Sequence, residues 1–250
     1  MTNDFTLLQS DYTICSENWG MIDENALFYR MYYICGGEAY LKKADQMIRL
    51  EPGYFYILPL MKPYTLWHIK EDPLQVLWFH IQIKMDFYID LGIAKIIEDT
   101  PMYFILNSLR SLMGTSRYHT EREQLFDIFL TLLNEEIPLQ KTDHPVMKGV
   151  LDYIDAHITQ HITVRDLAAY AGMERSYFSR KFKAAFQMSP NQYLYAARLN
   201  QAANALAQGA TVSEACRIAD YADEKSFSRA FHSYMDIPPS IYRKSHIVQP

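Results

Sequence analysis

One stretch of this chain occurs twice. Tyr177-Phe178-Ser179-Arg180-Lys181-Phe182 returns 49 positions later as Ser226-Phe227-Ser228-Arg229-Ala230-Phe231. Ser189-Pro190 returns at the same offset as Pro238-Pro239, and Tyr193 as Tyr242. Upstream, Thr163-Val164-Arg165-Asp166 returns as Thr211-Val212-Ser213-Glu214 at an offset of 48, so the second copy carries one extra residue before its second helix. Two copies are too few for a solenoid, so roughly the last 100 residues hold a duplicated supersecondary unit.

Each copy contains the parts of a helix-turn-helix. Thr163 can cap a first helix, and Asp166 in its first turn favours the positive end of the helix dipole. Val164, Leu167, Ala168 and Ala171 form its inner face. Gly172 then permits the left-handed backbone of a tight turn. A second helix is expected from about Arg175 to Ala185. Phe178 and Phe182 lie four apart and must point inward. Ser176, Ser179, Arg180 and Lys183 are left on its outer faces. In the second copy Phe227 and Phe231 point inward, and Glu224, Lys225, Ser228 and Arg229 stay outside. Surface ion pairing is the ordinary fate of a helical arginine, but Arg180 and Arg229 recur at one place in a duplicated unit, which favours DNA contact. Pro190 starts a connecting helix that runs to about Gln208, where Gly209 stops it. Roughly 19 residues at about 1.5 Å each span about 28 Å. Successive major-groove faces of B-DNA lie about 34–36 Å apart, so with the surrounding packing this rod can hold two reading helices on one side of a duplex.

Net charge is −5, which taken alone opposes nucleic-acid binding. The charge is unevenly spread. From His144 onward there are 12 Lys and Arg against 9 Asp and Glu, and residues 1–143 hold 12 against 20. A weakly basic module joined to an acidic one is compatible with DNA binding, because the local field matters more than the total. The 250 residues suit two domains. No apolar run reaches the roughly 18 residues of a membrane helix. The opening Met1-Thr2-Asn3-Asp4-Phe5 lacks a basic and then apolar leader, so no export signal is expected. Cys15, Cys35 and Cys216 are far apart and read as free thiols, which suits a cytoplasmic protein.

The first part reads as short strands: Phe28 to Cys35 with a turn at Gly36-Gly37, Met47 to Leu50, Tyr54 to Leu58, Thr65 to Ile69 and Gln75 to Ile83. Turn signals about every 10 residues predict a sandwich or barrel. Along the last of these strands Trp78, His80 and Gln82 share one face, and Leu77, Phe79, Ile81 and Ile83 the other. A helix is then expected from Thr120 to Asn134. Thr120-Glu121-Arg122-Glu123 reads as a capping box, and Leu125, Phe126, Ile128, Phe129, Leu132 and Leu133 as its apolar stripe. Pro138 to Pro145 is polar and reads as a linker. The fold class is therefore α+β multidomain, with residues 1–136, a linker 137–145, and an all-α domain 146–250. No nucleophile motif, phosphate loop or carboxylate pair stands out, so no catalytic residues are expected.

The C-terminal part resembles the AraC/XylS family of transcription regulators. The residues that carry the likeness are Ile162 to Ala168, Ser176 to Lys183, Ser189-Pro190, Tyr193, Arg198 with Ala202, Phe227 to Phe231, and Pro238 to Arg243. The resemblance implies double-stranded DNA as the partner, with the second helix of each copy in the major groove. By position, base readers are then Arg175, Ser176, Ser179 and Arg180, and Glu224, Lys225, Ser228 and Arg229. Lys183 and the amide end of the helix at Asn191 suit phosphates. The sequence also departs from the family. Asp220 stands at the usual turn glycine of the second copy, where some strain is expected. Gln187 replaces a glycine, and His232 a lysine. Asp223 and Glu224 make the second copy more acidic, so the first is expected to supply more of the affinity. Arg198 reads as one half of a structural ion pair, with Asp166 as a candidate partner.

The N-terminal part resembles the cupin-like barrel that many of these regulators use as a sensor, carried by Gly36-Gly37, Leu50 to Pro59 and Lys62-Pro63-Tyr64. Tyr64 stands where a histidine is usual. His68 and His80 fall on different strands without metal-ligand spacing, so neither metal nor cofactor is expected. Arg30, Trp67, Trp78 and His80 are candidates to line a pocket for a small-molecule effector such as a sugar. The helix after the barrel suggests a homodimer, and RNA polymerase is a partner to test. Two other readings stand beside this one: a cupin enzyme with a tethered DNA module, and a regulator that binds DNA without any ligand.

Overall fold

A computed structural model describes residues 5–24, 28–60, 63–83, 87–89, 91–137, 140–141, 145–186, 188–235 and 237–246. Lys62, Gln187, the opening Met1 to Asp4, and residues 138–139 and 142–144 of the expected linker lie outside them. The chain divides into two compact units, Met1–Gln140 and Lys141–Pro250. The architecture is α+β, with antiparallel sheets in the first unit and helices in the second.

In the first unit, strands β1 (Phe5–Ile14), β3 (Tyr29–Gly36), β6 (Tyr54–Ile57), β8 (Gln75–Ile83) and β10 (Gly92–Lys95) form a sheet in the order β1-β8-β3-β6-β10. Strands β2 (Gly20–Glu24), β4 (Ala39–Lys43), β5 (Gln46–Leu50) and β7 (Tyr64–His68) form a second sheet in the order β2-β7-β4-β5, and β9 (Phe87–Tyr88) is a two-residue strand. Tyr32, Ile34, Tyr56 and Val76 of the first sheet meet Ala39, Leu41, Leu50 and Leu66 of the second in one buried cluster. The two sheets thus share a core between them. The other face of the first sheet is covered by helices. Phe79 on β8 stacks on Phe126 at 4.4 Å, and Phe55 meets Phe129 at 4.8 Å. Strand β8 is therefore covered on both faces, which is why it reads as a nearly continuous apolar run.

Two helices follow, α1 (Pro101–Ser111) and α2 (His119–Glu136). Helix α1 is absent from the sequence reading, although it starts with an ordinary signal. The Thr100 hydroxyl accepts from the Tyr103 amide, and Pro101 takes the first helical position. The expected capping box at Thr120 does not form. A 3-10 turn, Ser116–Tyr118, runs straight into α2, whose cap position is Tyr118 without a side-chain bond. Thr120 falls inside the helix, where it has no cap to make. Glu123 lies instead 3.6 Å from His119. The buried stripe is Phe126, Phe129, Leu130 and Leu133, and Ile128, expected in it, is 52% exposed.

The second unit holds α3 (Pro145–His157), α4 (Val164–Tyr170), α5 (Arg175–Phe186), α6 (Pro190–Ala207), α7 (Val212–Ile218), α8 (Glu224–Met235) and α9 (Pro239–His246). The first copy of the repeat is α4 and α5, the second α7 and α8, and α6 joins them. Three capping boxes start α4, α6 and α7: Thr163 with Asp166, Ser189 with Gln192, and Thr211 with Glu214. Gly172 turns the first copy at φ 64°, and Asp220 turns the second at φ 60°. The backbone is the same in both, but only in the second is it held by a residue with a side chain.

Candidate nucleic-acid interface and the space between the sheets

Helices α5 and α8 are held from behind by phenylalanine. Phe178, Phe182, Phe227 and Phe231 are fully buried, with ring centroids 5.6 Å apart in the first copy and 5.5 Å in the second. That packing fixes which side of each helix faces out. Arg175, Ser176, Arg180 and Lys183 are exposed on α5, and Glu224, Lys225 and Arg229 on α8. Ser179 and Ser228 are half-buried, and the Ser179 hydroxyl donates to the Arg175 carbonyl at 2.9 Å.

The residue before each helix also matches between copies. Glu174 accepts from the amides of Ser176 and Tyr177 at 2.8 and 3.1 Å, and Asp223 accepts from Ser226 at 2.8 Å. These amide bonds hold both carboxyls below their usual range, with lesser help from Arg180 and Arg229 in turn. Capping by these two carboxylates was not read from the sequence. Its signal was there, an acidic residue ahead of each aromatic helix. Lys181 lies over the Tyr177 ring, 5.6 Å from its centroid.

Arg198 makes an ion pair, but with Asp220 rather than Asp166. Its Nη2 lies 3.0 Å from Asp220 Oδ2 and donates to the Ile162 carbonyl at 2.9 Å. His161 Nδ1 lies 2.7 Å from the same carboxylate oxygen. Asp166 is engaged locally, in the capping box with Thr163. Asp220 therefore ties the turn of the second copy to the connecting helix and to the start of the first copy.

In the first unit the structure brings together three of the four residues singled out for a ligand. Arg30 on β3 pairs in register with His80 on β8. The Phe28 ring lies 4.6 Å from the His80 ring, and Trp78 lies 4.7 Å from it. Arg30 Nη1 donates to the Tyr64 hydroxyl at 3.1 Å, so the tyrosine at the usual histidine position holds the arginine. Trp78 Nε1 donates to Thr13 Oγ1 at 2.9 Å. Trp67 is not in this group. Strand β7 alternates, with Tyr64, Leu66 and His68 buried and Thr65 and Trp67 on the other face, where Trp67 stacks on Tyr40.

His80 is buried, and its Nδ1 has no hydrogen-bond partner among the described residues. Burial, and secondarily Arg30, hold its ring well below the ordinary histidine range, so it is neutral in the fold. In the unfolded chain a histidine takes up a proton below about pH 6.5. Below that pH the unfolded state binds the extra proton, and stability falls as pH drops, by at most about 1.4 kcal/mol per pH unit from this residue. The unfolding midpoint of the first unit is expected to fall between pH 7 and pH 5, and less steeply in His80→Gln. Equal slopes for the two proteins would show that His80 does not carry the effect.

A helix-turn-helix domain family matches residues 167–245, which spans both copies from within α4 to the end of α9. The chain is 31% identical over 121 residues to the lactose operon transcription activator of Staphylococcus xylosus, covering 48% of this chain and 40% of that one. It is 34% identical over 101 residues to an AraC-like transcription regulator of Streptomyces lividans, covering 40% of this chain and 33% of that one. The aligned segment is thus less than half the length of either relative. In three dimensions the chain is similar to ToxT from Vibrio cholerae, with a TM-score of 0.62 over 97% of this chain and 99% of that one at 13% identity, a likeness of fold. Through the duplicated unit, residues 167–245 are similar to the helix-turn-helix domain of AraC-like transcription regulators.

Proposed function

We propose that the chain is a sequence-specific DNA-binding regulator of transcription, reading two adjacent major-groove segments of a duplex with α5 and α8. The observation that carries this reading is the duplication itself. Two helices with matching buried phenylalanines, matching acidic caps and an arginine at the same outward place are joined by an 18-residue helix. On this reading Arg175, Ser176, Ser179 and Arg180 of the first copy and Glu224, Lys225, Ser228 and Arg229 of the second face base edges, and Lys183 faces phosphate. Residues 146–250 are then the DNA-binding domain, and residues 1–136 sense a small molecule and support a homodimer in the cytoplasm. Support for a ligand between the sheets is the cluster of Arg30, Trp78 and His80, whose polar and aromatic groups suit a sugar or related metabolite. Support also comes from relatives: one is an activator of a lactose operon, and ToxT has been seen bound to an unsaturated fatty acid.

The test is selection of bound duplexes from a random pool at two salt concentrations, with Arg180→Ala and Arg229→Ala alongside. Two short motifs about 10 bp apart are expected. Arg180→Ala should relax one and Arg229→Ala the other, each at a cost of about 1–3 kcal/mol for its lost base contact. Binding without any enriched motif would leave only the sequence-independent phosphate term and overturn the reading.

A further inference from the structure

Between the two copies lies a cleft of about 440 Å³, walled by the start of α4, the first residue of α5, the first half of α6 and the turn of the second copy. Its cationic lining is Arg165, Arg175 and Arg198, with the His161 ring beside them, against a single carboxylate, Asp220. That carboxylate is already taken, since its Oδ2 is shared by His161 and Arg198. Arg165 and Arg175 are exposed and make no ion pair among the described residues. Arg198 has a buried Nε with no hydrogen-bond partner among the described residues. Asn191 adds an amide at the positive end of α6. Arginines crowded along a concave surface without counter-charge focus a positive potential into it.

We propose that this cleft receives a phosphate group. The inference deepens the regulator reading and rests on it for the source of the phosphate. A duplex engaged at once by α5 and α8 must carry its backbone between them, and the cleft lies beside the start of α5 and the turn that leads into α8. Arg165, on the exposed side of α4, is then, like Lys183, a contact that positions the duplex and reads no base. The volume exceeds that of a bare phosphate and falls in the range of small-molecule sites. A free phosphorylated metabolite therefore carries the same chemistry and is the alternative source.

Full-length Arg165→Ala and Arg165→Lys decide the matter, measured on the selected duplex and on an unrelated one across a salt series. For Arg165→Ala, affinity is expected to fall about threefold or more on both duplexes alike, and the slope of log affinity against log salt to become shallower by about 0.9. The selected motif should be unchanged, the thermal midpoint should match the wild type, and Arg165→Lys should recover most of the loss. In the second arm, glucose 6-phosphate is titrated into the DNA-free protein at fixed ionic strength by calorimetry. No heat there, with the salt-slope change present, assigns the site to the DNA backbone. Binding that Arg165→Ala abolishes, together with displacement of DNA, assigns it to a free phosphate compound. A wild-type slope in Arg165→Ala with no heat from glucose 6-phosphate overturns the proposal. Absence of any selected motif would sink the regulator reading instead, and the slope on the unrelated duplex would still decide the cleft.

Discussion

Gly37→Ala is expected to destabilise the first unit by roughly 2–5 kcal/mol, a large part of the whole stability of an ordinary domain. Two costs combine. Gly37 sits at φ 82°, a left-handed conformation that costs a residue with a Cβ about 1–2 kcal/mol. Its added Cβ would also lie 2.1 Å from the Pro73 carbonyl oxygen and 2.8 Å from Leu74 Cα, both backbone, so no side chain can swing aside. Forcing that run outward disturbs its hydrogen bonds. The Glu38 amide donates to Asp72 at 3.0 Å, and the Cys15 amide to Leu74 at 2.9 Å. Gly53→Ala is the control. It has φ 81° but nothing within 4 Å of the new Cβ, so only the conformational cost of about 1–2 kcal/mol applies. All three tryptophans, Trp19, Trp67 and Trp78, lie in this unit, so denaturant unfolding followed by their emission reports it directly. If Gly37→Ala costs no more than Gly53→Ala, the close approach to Pro73 is wrong.

Phe182→Ala is expected to cost about 3–5 kcal/mol and to abolish DNA binding at the temperature where the helices melt. Phe182 is fully buried, with ring centroids 4.7 Å from Phe186 and 5.8 Å from Tyr193. Tyr193 belongs to α6, so the void opens where the first copy seats on the connecting helix. Phe231 has the same place in the second copy, 5.4 Å from Tyr242 on α9, and its alanine variant should cost a similar amount. Thermal melts followed by helical circular dichroism measure both. A loss below about 1 kcal/mol in either would mean that the site collapses around the missing ring and is not a rigid support.

The second unit was more legible in the sequence than the first, for a physical reason. A repeated sequence is its own check, since each buried phenylalanine is read twice, although the acidic caps at Glu174 and Asp223 escaped it. The box of Thr163 and Asp166, and the left-handed turn at Asp220, follow from local chemistry of side chains and backbone. Long-range pairings were not accessible in this way. The partner of Arg198 depends on where the second turn docks, and Asp220 is far away in sequence whereas Asp166 is not. The face of Trp67 follows from the pairing of its strand between β2 and β4 rather than from its own neighbours. Helix α1 was missed because it buries only Leu106 and Leu109, too few for a clear period, although Thr100-Pro101 marked its start. At Thr120 the failure was the reverse. The motif was present, but the chain was already helical there, and a cap motif has meaning only at an end.

The position of Asp220 bears on how far apart the two reading helices stand. In the first copy the turn is a glycine, free to close without attachments. In the second, one carboxylate oxygen is gripped by Arg198 from the connecting helix and by His161 from the first copy. The separation of α5 and α8 is thus braced by partly exposed charges as well as by apolar packing, and such charges are weakened by dissolved ions while buried rings are not. Ionic strength would then act on the ruler and not only on the grip. On the proposed reading, a protein built this way would measure the distance between its two half-sites more loosely as salt rises, whatever happens to its affinity for either one.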